Sequence, residues 1–244
     1  MTIDLPFDRA FRGFVRRVVI EPTKKVIHAH LEDDMHCMSV SLHHDDGNVL
    51  DVQATTHRAP WTTCPQAVTV LKNQFIGVRI EEIASARGKR NHCTHLWDLA
   101  QFAAYFANRD KPISIDMGVT DPVQGVREGA LWFDGHQRLL WKECDLKMLE
   151  PAAVAGLGLF EMTSWLDAQE GEAAVLGRML RWVMIVAKGR TMPLEAQSDA
   201  QRMPPNCYSF QPLQSAQATR IVNLKDFSKD GEQPLVWLLE PNKL

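Results

Sequence analysis

The stretch Val26-Ile27-His28-Ala29-His30-Leu31, then Met35-His36-Cys37-Met38-Ser39-Val40-Ser41-Leu42, then Asp45-Asp46-Gly47-Asn48 leading into Val49 to Thr55, decides the fold class. Side chains alternate across a strand, so Ile27, Ala29 and Leu31 share one face, opposite Val26, His28 and His30. His36, Met38, Val40 and Leu42 repeat the pattern. Asp-Gly between alternating runs predicts a tight hairpin, so this third of the chain reads as a meander of at least three strands.

Outward from there the period changes. Cys64-Pro65 opens a helical run with Ala67, Val68 and Leu71, and proline suits a first helical position. Thr94 suits an N-cap for a helix turning Leu96, Leu99, Phe102, Ala103 and Phe106 inward. Residues 110–126 read as a loop with a short strand over 113–117. A second hairpin runs from Ala130 to Lys142 about Asp134-Gly135, and a third helix spans about 172–188. Residues 189–206, with Pro193, Pro204 and Pro205, form a polar excursion of the lid type. Late strands are expected near 216–223 and 234–239, and residues 1–22 read as an arm or edge segment. No internal repeat is visible. The class is α+β, a single domain over 1–244 with an antiparallel, hairpin-rich sheet packed against three or more helices.

Composition limits function. The 244 residues carry a formal charge of −3, 45% hydrophobic and 23% charged residues, so neither disorder nor a nucleic-acid partner is expected. Arg9, Arg12, Arg16 and Arg17 form one local cluster, read as a solvated face or a contact for an acidic partner. No run approaches the about 18 apolar residues of a membrane span. Asp4, Asp8 and the arginines argue against a secretory signal. Five scattered cysteines without a CxxC pair suit a reducing compartment, and cytoplasm is the expected location. A homodimer is left open. Glycine-rich phosphate loops, HExxH and GxSxG are absent.

Histidines crowd the first half. His28 and His30 share a strand face and read either as a metal-gripping pair or as polar residues on a solvated face; His43 and His44 flank a turn and read as surface. His36 is at the rim of an apolar face, as a satisfied core-edge residue or a general base. Cys64 and Cys93 each precede a helix start, where the helix dipole can favour thiolate, although small buried cysteines are commonly inert. In Thr56-His57-Arg58-Ala59-Pro60-Trp61, Arg58 can clamp a carboxylate or phenolate, or form a structural salt bridge to Asp51 or another acid.

The runs His36 to Leu42, Leu50 to Ala54 and Pro60 to Pro65, with Gly77 and Cys93-Thr94-His95-Leu96, resemble the bacterial domain-of-unknown-function family 2889 over about residues 10–110. The chain departs from that pattern at His92, where the family usually has glycine before the cysteine. The resemblance implies a bacterial cytoplasmic protein and, from the genes near some members, a small aromatic substrate. The order Cys64, Gly77, Cys93 is also loosely similar to iron–sulfur scaffold proteins.

The leading expectation is a cofactor-independent lyase cleaving a small, lignin-type aromatic compound in the retro-aldol sense. His36 or His95 would be the base, Asp51 its orienting partner and Arg58 the anion clamp, with Trp61, Cys64 and Cys93 lining the pocket. No metal is required in that reading. The alternatives are a metal or iron–sulfur protein using Cys64, Cys93 and His95, and a non-catalytic interaction module.

Overall fold

A computed structural model describes residues 6–7, 10–229 and 231–239; Asp4, Asp8 and Arg9 lie outside the described residues. Eight strands form one antiparallel sheet: β1 (Gly13–Pro22), β2 (Val26–Asp33), β3 (Cys37–Asp45), β4 (Asn48–Arg58), β5 (Ile113–Thr120), β6 (Val126–Phe133), β7 (His136–Cys144) and β8 (Lys147–Glu150). Their order is β4-β3-β2-β1-β5-β6-β7-β8. The sheet is thus two four-stranded meanders running outward from a central β1–β5 seam, with Arg17 opposite Asp116 and Ile20 opposite Ile113. The fold is α+β, as the two periodicities predict.

Both expected tight turns form. Asp46-Gly47 and Asp134-Gly135 have φ of 46° and 76°, and of 47° and 79°, the paired positive values of a two-residue turn that matches strand twist. Glycine meets the second of these conformations without a Cβ clash. The apolar strand faces carry Val18 and Ile20, Ile27 and Leu31, and Met38 and Leu42, all buried. Helices α1 (Ala67–Phe75), α2 (Ile80–Ser85) and α3 (Thr94–Tyr105) follow the first meander. Helices α4 (Thr163–Asp167) and α5 (Gly171–Thr191) follow the second. α3 packs on β1, β2 and β3, while α5 packs on β1, β5, β6 and β7. Each meander therefore has its own covering helix, and β1 touches both.

Three expectations change. The arginine-rich N-terminal segment is not an edge: β1 is a central strand, because Arg16 and Arg17 are buried and each meets an acid on a neighbouring strand. Neither charge needs water. The late strands do not form. Arg220 makes one isolated bridge to Trp61, and Val236–Leu239 is a short helix, since a continuous apolar run does not distinguish strand from helix. The N-cap of α3 is Cys93, one residue before Thr94, and no side chain caps it. Residues 194–197 and 200–202 are 3-10 turns, with the Gln197 amide donating to Gly189 O and Met192 O at the end of α5. Among the described residues no helix is long and apolar enough to cross a membrane.

Candidate functional site

Asp33 ends β2 at the four-residue turn before β3. Its Oδ1 accepts from the backbone N–H groups of Met35 and His36, both at 2.7 Å, which holds the turn. The same oxygen lies 3.1 Å from His36 Nδ1. Its Oδ2 accepts from Arg16 Nε at 2.9 Å and Nη2 at 2.5 Å, across the β1–β2 register. Arg16 Nη2 also lies 3.0 Å from Nε2 of His95, at the start of α3. The rings of His36 and His95 stack at 3.8 Å. All four residues are buried.

Electrostatics fix most protons in this cluster. Burial would raise Asp33, but Arg16, with His36 and its hydrogen bond, overrides it and holds the carboxyl well below the usual range. Asp33 is therefore an anion. His95 is held well below its ordinary value by burial first, then by His36 and Arg16, so it is neutral. Arginine can only donate, so His95 Nε2 accepts from Arg16 and the proton sits on Nδ1. Ionised Asp33 can only accept, so its Oδ1 takes a hydrogen bond from His36 Nδ1–H. His36 Nε2 and Arg16 Nη1 have no hydrogen-bond partner among the described residues.

Arg16 and His95 line a small void of about 10 Å³, the space of about one water. Asp98, Phe102 and Trp182 line this void and also the far larger cleft of about 550 Å³ beside it. His95, Asp98 and Phe102 are three and four residues apart on α3, which puts them on one helix face. Trp182 comes from α5, so the cleft lies between the covering helices of the two meanders.

Of the residues singled out in the sequence, the structure brings His36 and His95 together. Asp51 is not their orienting acid: it is half-buried on β4 and pairs with Lys72 at 2.6 Å, a hydrogen bond that lowers its pKa. Asp33 holds that position instead. Arg58 is buried and internally committed, donating to Asp34 O at 2.8 Å, Asp33 O at 2.6 Å and Glu32 at 3.0 Å. It braces the Asp33–His36 turn and has no spare fork for a ligand; the arginine beside the two histidines is Arg16. Trp61 packs edge-on to Phe210 under Arg220, and Cys64 shares a hydrogen bond with Ser209 at 3.3 Å, both away from the void lining. The Cys93 thiol lies 4.0 Å from Met38 Sδ. Burial pushes both thiols up despite their helix starts, so neither is an activated thiolate.

His28 and His30 bond Ser41 and Ser39 at 2.8 and 2.9 Å, the satisfied polar face of the second reading. Sequence reasoning missed Asp33, Arg16 and Trp182. The Asp-x-x-His spacing of Asp33 and His36 was the available signal for the first, since an aspartate can hold a turn and reach the residue three positions on.

Among the described residues, the group of potential metal ligands that converges is Asp33, His36 and His95, with ligand atoms within 4.8 Å of one another; Cys64 and Cys93 are not in it. No curated protein matches the chain. Residues 17–108, less than half of the chain but including Asp33, His36 and His95, match the family model described as protein of unknown function DUF2889, the family these strands and the Cys-Thr-His-Leu helix start resemble.

Proposed function

We propose that the protein is an acid–base lyase that cleaves a carbon–carbon bond of a small aromatic compound in the retro-aldol sense. The observation that carries this reading is the buried Arg16–Asp33–His36–His95 cluster, in which an ionised carboxylate orients one histidine and an arginine holds the other. A retro-aldol step needs a base for a carbinol proton and a donor for the charge that develops on the partner carbonyl. His36 Nε2 takes the hydroxyl proton. The C–O bond becomes the carbonyl of a released aldehyde, the carbon–carbon bond breaks, and its electron pair moves into the adjacent ketone as an enolate. Arg16 Nη1 stabilises that oxyanion, with His95 Nδ1–H as a second donor. The proton on His36 then returns to carbon, which closes the cycle with no external oxidant or reductant. The void beside Arg16 and His95 suits the carbonyl oxygen those two groups would stabilise, while the ring stays in the cleft.

Incubating the protein with aryl hydroxyethyl ketones and following aryl methyl ketone and aldehyde by mass spectrometry tests the reading. Product from the wild type and not from His36→Ala is expected. No product across a panel of such ketones would remove the lyase assignment.

A divalent metal on Asp33, His36 and His95 is the competing reading, favoured by the convergence of their ligand atoms. Against it, the Arg16 cation already bonds Asp33 Oδ2 and His95 Nε2, so a metal taking either atom would have to displace it there. Elemental analysis of untagged protein separates the two: stoichiometric zinc or iron, lost in His95→Ala, would favour the metal.

A further inference from the structure

We propose that the C-terminal segment serves the reaction from the far face of the sheet: Leu235 and Trp237, acting through Glu32 and Arg58, are positioning residues for the Asp33–His36 turn. The proposal rests on the lyase reading for turnover, but its geometry stands without that reading.

Glu32 and Asp33 are consecutive in β2, so their side chains leave opposite faces of the sheet. Asp33 meets Arg16 and, through it, His95 of α3 on the helical face. Glu32 is 1% exposed and meets the C-terminal segment on the other face. Its Oε2 accepts from the backbone N–H of Leu235 at 2.7 Å and from the indole N–H of Trp237 at 3.0 Å. Its Oε1 accepts from Arg58 Nη2 at 3.0 Å.

Arg58 passes this grip to the turn. Its Nη2 donates to Asp33 O at 2.6 Å and His36 O at 3.5 Å, and its Nη1 to Asp34 O at 2.8 Å. Three of the turn's four carbonyls therefore point at one guanidinium. Fixing them fixes the N–H groups of Met35 and His36 on Asp33 Oδ1, the oxygen that also bonds the His36 ring. A catalytic group misplaced by about 1 Å can cost about 10²-fold in rate.

Leu235 supplies the independent observation. Its φ of 69° is in the left-handed region, which a leucine rarely adopts. Such backbone persists only where its surroundings over-determine it, and it gathers at functional sites. Here the side chain is buried and the N–H is spent on Glu32. The strained residue delivers a donor to the acid that precedes Asp33.

Amide exchange and steady-state kinetics on the whole protein test this with Trp237→Phe and Glu32→Gln. Trp237→Phe keeps a ring against His57 and removes only the indole donor. Exchange at Met35 and His36 should quicken at least tenfold more than in β6 and β7 in both variants. With an aryl hydroxyethyl ketone, kcat should fall fivefold or more while KM stays within twofold, because the cleft is on the opposite face. Arg127→Lys, destabilised in the second meander, should show neither the local exchange nor the loss of kcat. Trp237→Phe carries the test if Glu32→Gln fails to fold. Exchange at 35 and 36 that rises no more than in the rest of the sheet, or an unchanged kcat, would overturn the proposal. A wild type without turnover would count against the lyase reading, and exchange alone would then decide.

Discussion

Each half of the sheet buries one arginine–carboxylate pair on neighbouring strands, and the two pairs end differently. In the first meander, Arg16 and Asp33 are joined by two histidines, and Arg16 keeps one nitrogen free beside a void. In the second, Arg127 bonds Glu143 and donates to Met184 O at 3.0 Å, while Glu143 also accepts from the backbone N–H of Leu146. That pair too leaves a buried nitrogen, Arg127 Nη1, without a partner among the described residues, but it has no titratable neighbour in its hydrogen bonds. A buried ion pair is therefore not itself the mark of a site. The mark is the proton-carrying group added to it and the space left next to it.

The contrast breaks most sharply on truncation. Asp33→Ala and Glu143→Ala should each destabilise the protein by about 3–5 kcal/mol in denaturant titrations, because each leaves a buried guanidinium without its counter-ion. Only at Asp33 should turnover vanish as well. His36→Ala comes next: a fall in turnover of about 10²–10⁴-fold with a stability loss near 1 kcal/mol, since one hydrogen bond and a ring contact are lost. Glu143→Gln, assayed where it is folded, should turn over at the wild-type rate.

A third arginine sharpens the comparison from the surface side. Arg190 bonds Asp121 at 2.8 Å and Asp34 and Asp226 at 2.9 Å, joining α5 to the Asp33 turn and to the C-terminal segment. It is partly exposed, so Arg190→Gln should cost only about 1–2 kcal/mol. Amide exchange should rise around 225–229 and leave β6 and β7 unchanged.

The smallest effect is in pH. His95 is depressed by burial, by His36 and by Arg16, and His30 is lowered to about 4 by burial, His28 and His57. Below the ordinary histidine range the unfolded chain then binds more protons than the native one. Stability conferred by the neutral histidines is full above about 6.5 and declines as pH falls. The expected loss for His95 is on the order of 1 kcal/mol per pH unit between pH 6.5 and 5, and His95→Gln should flatten that slope.

The fold was largely legible because period-two runs and Asp-Gly turns are local signals. β2, β3, β4, β6 and β7 can be read that way, and α3 and α5 from their apolar stripes. β1 was not legible, because paired arginines look solvated until the strands carrying Asp33 and Asp116 are placed beside them. Its two contacts are 17 and 99 residues away in the chain. The site shows the same division. His36 and His95 stood out by residue type, whereas Asp51 was named as the orienting acid and Asp33 was not, although Asp33 reaches His36 from three residues away within one turn. Trp182 is on a helix read as core, and only the packing of α5 against α3 gives it a cleft to line.

Turnover of an aryl hydroxyethyl ketone by wild type, His36→Ala and Glu143→Gln, measured side by side by mass spectrometry, tests the central assignment most directly. Aryl methyl ketone and aldehyde should form at matching rates with wild type and Glu143→Gln, and at least a hundredfold more slowly with His36→Ala. Equal rates in wild type and His36→Ala would show that the histidine cluster is another buried ion pair and not the catalytic centre.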